Sequence, residues 1–158
     1  MQGISGIGHV AIKVRDVERT LRFYRDSLGF PEMMRLFHDD GSLFLIYLRI
    51  TDTQYLEIFP EAETERTSGP KANGIHHICL TVDRLEPVLD QIRLTGETVF
   101  IWQDGDLRPT DGNAINTGLD RNRQAWIEDP DGNRIEFMEM APNSLQAEAI
   151  GRLKAQNT

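Results

Sequence analysis

Four side chains have the chemistry of metal ligands and recur as two pairs, His9 with Glu57 and His77 with Glu136. Each histidine opens one of two similar segments, and each glutamate lies in an apolar stretch near the end of its half of the chain. Imidazole and carboxylate groups are ligands that borderline divalent ions such as Ni²⁺, Co²⁺ and Zn²⁺ accept. The pattern predicts a site made by all four residues, with positions open for water or substrate oxygens.

The direction of each side chain decides whether the four can share a site, because successive residues of a strand point to opposite faces. In the strand predicted at His9, the alternating valine and isoleucine residues share the face that packs on a helix, so the histidine points away from it. The same alternation places Glu57, His77 and Glu136 opposite to their apolar neighbours. All four are therefore expected on the face away from the helices.

Three other residues with reactive side chains are assigned structural roles. His76 has the parity of the apolar residues, so it should point to the helix side or fray at the start of the strand, which makes His77 the better ligand. His38 lies beside two aspartates at a turn and is expected at the surface. Cys79 is the only cysteine and cannot form an internal disulfide; a buried small hydrophobic residue is favoured over a reactive thiol.

An internal repeat organises these positions, since residues 6–14 (GIGHVAIKV) resemble residues 74–82 (GIHHICLTV). Each copy predicts a strand, then an amphipathic helix that ends at Gly29 or Gly96, then three strands. Asp83 and Glu86 resemble a capping box for the second helix. The strands expected after the helices lie at 30–37, 42–50 and 54–59, then at 98–103, 124–128 and 134–140. The expected organisation is a first module at 1–60, a linker at 61–73, a second module at 74–141 and a helical tail at 142–158.

Composition excludes several classes of function. With 17 Lys and Arg against 25 Asp and Glu, the chain has a net charge of −8 and no basic cluster, which argues against a nucleic-acid partner. No apolar run is long enough to cross a bilayer, and no targeting peptide is evident, so we expect a cytoplasmic protein without a membrane partner. The apolar share of 39% indicates a globular fold.

Three segments, residues 8–12 (GHVAI), 23–30 (FYRDSLGF) and 127–137 (IEDPDGNRIEF), resemble the opening and closing signatures of the vicinal oxygen chelate superfamily. This superfamily of glyoxalases, bleomycin resistance proteins and extradiol dioxygenases is matched over roughly residues 6–140. The resemblance implies an α+β fold in which two βαβββ modules pair into a curved mixed sheet around a metal-lined cleft. The long polar stretch at 104–123 is expected to be a loop; it departs from compact bacterial glyoxalases, and its role is open.

The ligand set His9, Glu57, His77 and Glu136 resembles that of glyoxalase I (lactoylglutathione lyase). This implies a metal-dependent lyase or isomerase that converts the hemithioacetal of a 2-oxoaldehyde and glutathione to a 2-hydroxyacyl thioester by enediolate chemistry. The resemblance favours Glu136 as the base that shuttles the proton, with Glu57 as a second candidate for that role. It also implies a small-molecule substrate and a homodimer, with the metal site inside one chain or across two.

Three alternatives remain open at the level of sequence. One is another isomerase or epimerase of the superfamily that acts on a small hydroxy-carbonyl or sugar-acid metabolite, although the epimerases commonly have glutamine in place of Glu57. A ring-cleaving dioxygenase is less favoured because those enzymes use three ligands. A non-catalytic drug-binding protein would lack the ligands altogether.

Overall fold

The computed structural model describes residues 3–64 and 73–156. The chain separates into two compact units, Met1–Arg66 and Thr67–Thr158. The linker expected at 61–73 falls mainly on residues 65–72, which lie outside the described residues. Its prediction therefore stays a prediction.

The first unit contains one helix and a four-stranded sheet, in the predicted order of strand, helix and three strands. Helix α1 spans Val17–Leu21 and continues as π-helical turns over Arg22–Ser27. The sheet has the order β1-β4-β3-β2, with β1 parallel to β4 and the other pairs antiparallel. Its strands are β1 (His9–Lys13), β2 (Glu32–Phe37), β3 (Leu43–Arg49) and β4 (Tyr55–Phe59).

Local sequence explains where α1 begins and ends. The Asp16 side chain caps the helix by accepting a hydrogen bond of 2.9 Å from the Arg19 backbone N–H. Gly29 adopts φ +75°, the left-handed conformation that commonly follows a helix and that glycine reaches without strain. Between these ends Leu21 and Tyr24 are buried, so the apolar stripe of the helix belongs to the core of this unit.

The second unit repeats this plan with insertions. Helix α2 follows the first strand, and the sheet order is β5-β10-β9-β6-β7, in which β5 runs parallel to β10 and β8 pairs with β9. The elements are β5 (Ile78–Thr81), α2 (Leu85–Leu94), β6 (Val99–Gln103), β7 (Asp106–Pro109), β8 (Asn116–Thr117), β9 (Arg123–Glu128), β10 (Arg134–Glu139) and α3 (Leu145–Gln156). The four strands β5, β10, β9 and β6 therefore correspond to β1, β4, β3 and β2.

The polar stretch 104–123 is not the uninterrupted loop that the sequence indicated. It contains β7, which pairs antiparallel with β6, and the short β8. A two-residue turn joins β6 to β7, and both of its residues, Asp104 (φ 54°) and Gly105 (φ 82°), have the positive φ that a tight hairpin turn of this kind requires. The loop interpretation was wrong because aspartate and glycine also favour tight hairpin turns, and here Asp104 and Gly105 join two paired strands.

The capping box predicted for α2 is also wrong. Neither Asp83 nor Glu86 caps the helix; instead the carboxylate of Glu139, on β10, accepts the Leu85 backbone N–H at 2.9 Å. Glu139 also pairs with Arg123 at 2.7 Å, and Arg123 in turn pairs with Glu86. A carboxylate distant in sequence therefore joins α2 to the sheet.

Replacing Glu139 with glutamine is expected to lower the free energy of unfolding by ~1.5–3 kcal/mol, the range for losing a hydrogen bond to a charged group. The hydrogen bond from the Leu85 N–H, followed by that from Arg123, lowers the pKa of Glu139 below its ordinary value of 4.5. A lowered pKa in the folded state means that this contribution is present above 4.5 and is lost as the pH falls through the folded-state value. Chemical denaturation of both proteins at neutral and acidic pH measures it.

The difference between wild type and Glu139→Gln should shrink as the pH is lowered. Glu128→Gln, at an equivalent cross-strand position on β9, is the control. A difference that stays constant with pH would contradict the assignment.

Helix α3 lies within the stretch expected as a tail and has no buried residues. Its exposed apolar side chains are Leu145, Ile150 and Leu153. Among the described residues, no helix combines the length and the apolar character needed to cross a membrane.

Candidate metal centre

The first pair of predicted ligands meets within the first unit. His9 opens β1 and Glu57 lies in β4, the strand that runs parallel beside it. The His9 Nδ1 atom lies 3.4 Å from the Glu57 Oε1 atom, and only 7% of the Glu57 side chain is exposed. The alternation predicted for β1 is present, with His9 more exposed than Val10 and Ile12. The sequence therefore placed both residues on the same face of this sheet correctly.

Tyr47 contacts the same glutamate and was not identified from the sequence. In the antiparallel register of β3 and β4, it lies directly opposite Glu57. Its hydroxyl interacts with the Glu57 carboxylate, and this interaction raises the pKa of Tyr47 above its ordinary value. The phenol therefore stays protonated and presents its O–H group to the carboxylate.

The second pair meets in the same way within the second unit. His77 directly precedes β5, and Glu136 lies in β10, which runs parallel to β5. The His77 Nε2 atom lies 3.0 Å from the Glu136 Oε2 atom, and 13% of the Glu136 side chain is exposed. Each half of the repeat therefore builds one histidine–glutamate pair between its two parallel strands.

The surroundings of the two glutamates differ. The residue opposite Glu136 on the antiparallel neighbour is Trp126, where the first unit has Tyr47 opposite Glu57. The Trp126 ring packs edge-on against the His77 imidazole, with centroids 5.0 Å apart. Glu57 therefore lies opposite the hydroxyl-bearing side chain of Tyr47, whereas Glu136 lies opposite the indole of Trp126.

The two further histidines lie outside the strands. His76 precedes β5, as His77 does, and its ring packs against the Trp102 ring with centroids 5.6 Å apart. Its Nδ1 atom lies 2.8 Å from the His77 Nδ1 atom, so one of the two rings carries the shared proton and helps to orient the other. His38 is exposed at a turn and packs edge-on against Phe44.

Cys79 was predicted to be buried, and this prediction is wrong. The residue is exposed, because it lies on the strand face that points away from the apolar core and directly beside Glu136 in the parallel register. Although the residue as a whole is exposed, partial desolvation of its thiol, together with the negative charge of Glu136, raises the pKa of Cys79 to about 12. The thiol stays protonated near neutral pH, so a reactive thiolate remains the disfavoured alternative.

The spacing of each pair suits a shared divalent ion. Two ligands bonded to one ion at about 2.1 Å lie about 3.0 Å apart at a right angle and about 3.4 Å apart at the tetrahedral angle. The observed separations are 3.4 Å for His9 with Glu57 and 3.0 Å for His77 with Glu136. A hydrogen bond between the two groups has a similar length, so the same side chains can pair with each other or with an ion.

The structure brings the predicted ligands together two by two. Within residues 3–64 and 73–156, no group of three or more histidine, cysteine, aspartate or glutamate side chains is arranged to hold a metal ion. Each pair belongs to a different unit. Their convergence on one ion stays a prediction.

Comparison with known proteins places the chain in a family. Residues 6–137 match the sequence model of the Glyoxalase/Bleomycin resistance protein/Dioxygenase superfamily. This match covers both units and all four predicted ligands.

Individual relatives are distant. A lactoylglutathione lyase of Neisseria meningitidis is 28% identical over 134 residues, which cover 83% of this chain and 88% of that protein. An ethylmalonyl-CoA/methylmalonyl-CoA epimerase of Cereibacter sphaeroides is 29% identical over 101 residues, 61% of this chain and 75% of that protein. The crystal structure of a glyoxalase family protein from Enterococcus faecalis aligns with a TM-score of 0.68 at 24% identity, covering 85% of this chain and 98% of the other. That likeness establishes the α+β fold.

Proposed function

The chain belongs to the Glyoxalase/Bleomycin resistance protein/Dioxygenase superfamily, and we propose that it is a metal-dependent lyase or isomerase of the glyoxalase I type. Its substrate would be the hemithioacetal of a 2-oxoaldehyde and glutathione, and its product a 2-hydroxyacyl thioester. The observation that carries the proposal is the pair of histidine–glutamate contacts at equivalent positions of the two units. The similarity to a lactoylglutathione lyase over most of the chain supports it.

Each of the four residues has a proposed role. His9, Glu57, His77 and Glu136 would hold one divalent ion, with Ni²⁺, Co²⁺ and Zn²⁺ as the candidates for mixed imidazole and carboxylate ligands. Such an ion supplies Lewis-acid polarisation of substrate oxygens.

Glu136 takes the proton from one carbon of the substrate and returns it to the next. Glu57 is less suited to this task, because its carboxylate already interacts with the Tyr47 hydroxyl. Proton transfer by a positioned carboxylate contributes about 10²–10⁴-fold to rate.

A second candidate function is that of another isomerase or epimerase of the superfamily, which would act on the carbon next to a carbonyl group of its substrate. The similarity to an ethylmalonyl-CoA/methylmalonyl-CoA epimerase favours it. The same residues would serve, because epimerisation also removes a proton next to a carbonyl group and returns it. The two functions therefore differ in substrate and share their residue roles.

Two assays on the metal-loaded protein separate these candidates. Thioester formation from methylglyoxal and glutathione, followed by absorbance, is expected for the proposed function. Exchange of the substrate α-proton of methylmalonyl-CoA in deuterated water, without thioester formation from methylglyoxal, would contradict the glyoxalase I proposal and support the epimerase. A protein that carries no stoichiometric metal and has neither activity would match a drug-binding protein.

Tyr47→Phe is expected to weaken metal binding by about 10–100-fold, because the hydroxyl that interacts with the Glu57 ligand is removed while the aromatic ring is kept. Titration of the metal-free protein with Co²⁺ measures the change. Tyr55→Phe is the matched control, since the Tyr55 hydroxyl donates to the Asp52 carbonyl at 2.8 Å. Equal affinities for wild type and Tyr47→Phe would show that the phenol does not position the ligand.

We expect the protein to form a homodimer, since two-fold dimers are the commonest solution for oligomers and α3 leaves apolar side chains exposed. Light scattering coupled to size exclusion measures the mass in solution. Replacing Leu145 and Leu153 with serine should weaken the association if α3 contributes to the contact. A monomer at micromolar concentration would contradict the expectation.

Mixing two inactive variants decides whether the site lies within one chain or across two. If His9→Ala and Glu136→Ala subunits exchange and the sites are shared, each mixed dimer regains one intact site, because the other site collects both defects. If each site lies within one chain, no activity is regained. Both outcomes are compatible with the proposed reaction.

A further inference from the structure

Trp126 is a buried hydrogen-bond donor beside the second histidine–glutamate pair. The residue is 4% exposed, lies opposite Glu136 in the sheet register and packs against the His77 ring. Its Nε1 atom is buried and has no hydrogen-bond partner among the described residues. An indole N–H can only donate, and leaving a buried donor unpaired costs free energy. Because the unpaired Trp126 N–H lies next to a candidate site, a ligand bound there could supply the missing acceptor.

Two other buried polar atoms around Trp102 share this state. They are Nη1 of Arg134 and Oδ1 of Asn116, neither of which has a partner within the described part of the chain. The Trp102 ring lies 5.4 Å from the Trp126 ring and 5.7 Å from Cζ of Arg134, and its backbone carbonyl accepts the Asn116 amide N–H at 3.0 Å. That bond fixes the orientation of the Asn116 amide, because a carbonyl cannot donate. One region of the second unit therefore has two unpaired donors and one unpaired acceptor.

The charges around Arg134 narrow the chemistry of a ligand. Its side chain is 9% exposed and pairs with Asp106 at 2.7 Å and with Glu128 at 3.6 Å. Two carboxylates thus compensate the guanidinium charge before any ligand arrives. The remaining N–H groups favour a neutral oxygen acceptor over a carboxylate. With Asn116 as the acceptor, the complementary ligand carries both a carbonyl oxygen and a hydroxyl group.

We propose that Trp126 donates its indole N–H to the carbonyl oxygen of a hydroxy-carbonyl substrate, in a subsite completed by Arg134 and Asn116. The identity of the reaction rests on the proposed function, whereas the hydrogen bonds of the subsite do not. A donor aimed at an oxygen on which negative charge develops also stabilises the transition state. Trp126 would then be a catalytic residue as well as a binding residue.

Calorimetric binding of hydroxyacetone, a small neutral molecule with a carbonyl oxygen and a neighbouring hydroxyl, tests the proposal on the metal-loaded protein. Trp126→Phe keeps an aromatic ring and removes the N–H group, and it is expected to weaken binding about tenfold, the effect of one lost hydrogen bond. Metal content should be unchanged, and the unfolding temperature should fall modestly, because the smaller ring leaves a cavity at a buried position. Unchanged hydroxyacetone affinity would overturn the proposal.

Trp102→Phe provides a second measurement that does not depend on the folding of Trp126→Phe. The chain has only two tryptophans, so this variant leaves Trp126 as the single indole, whose fluorescence should change when hydroxyacetone binds. A constant emission at saturating hydroxyacetone would overturn the proposal. If binding depends on Trp126 but methylglyoxal and glutathione give no thioester, the subsite stands and the glyoxalase I reaction fails. If methylglyoxal and glutathione give a thioester but binding is unchanged in Trp126→Phe, the glyoxalase I reaction stands and the subsite fails.

Discussion

Glu136→Gln is expected to lower turnover by about 10²–10⁴-fold in protein saturated with metal, the usual contribution of a general base. Glutamine can still offer a carbonyl oxygen to an ion, but it cannot accept a proton as a carboxylate does. The glutamate lies in β10, with its carboxylate 3.0 Å from the His77 imidazole. Steady-state kinetics at saturating metal, with bound metal measured on the same samples, separates lost proton transfer from lost metal.

The matched control is Glu57→Gln, which removes the carboxylate of the other pair. We expect this variant to keep more turnover per bound metal, because the Glu57 carboxylate already interacts with the Tyr47 hydroxyl, whereas Glu136 has no such hydroxyl opposite it. Nearly full activity in metal-saturated Glu136→Gln would make Glu136 a ligand only. Equal losses in both variants would mean that the two carboxylates share the proton transfer.

His77→Ala is expected to remove most of the bound metal, whereas His76→Ala removes much less. The physical reason is placement: His77 contacts Glu136 through Nε2, and His76 contacts the other side of the same imidazole through its Nδ1 atom. A residue that orients a ligand typically changes metal affinity by 10–100-fold, while loss of the ligand itself removes a bond to the ion. Elemental analysis after dialysis against a fixed concentration of free Co²⁺ measures both variants.

The two variants differ by one position in the chain, so they make a close pair for comparison. His38→Ala, at an exposed turn, controls for general effects of removing an imidazole. Equal metal loss in His76→Ala and His77→Ala, or the reverse order, would contradict the assignment of His77 as the ligand.

The strand faces could be predicted from the sequence because period-two alternation acts locally. The parity of His9 and Glu57 follows from the apolar residues beside them, and burial of those residues fixes the register of the sheet. Because the second unit repeats the first, the same parity applies to His77 and Glu136. The order of helices and strands could be derived for the same reason.

The contacts that distinguish the two units could not be predicted in this way. Tyr47 and Trp126 lie opposite their glutamates because antiparallel pairing sets that register. Local periodicity does not indicate which strands pair. Glu139 caps α2 from a strand more than 50 positions away, while the nearby Asp83 and Glu86 offered a local but incorrect cap. The exposure of Cys79 follows from the face it shares with Glu136, which strand parity would have indicated.

The stoichiometry of bound metal tests the central claim most directly. If His9, Glu57, His77 and Glu136 converge on one ion, the purified protein loaded with Ni²⁺, Co²⁺ or Zn²⁺ should hold one ion per chain. That value is the same whether the ligands come from one chain or from two. Each single substitution at these positions should lower the metal content per chain. The histidine–glutamate pair that remains intact should not hold an ion tightly by itself. Two ions per chain, or no stoichiometric metal, would contradict the account.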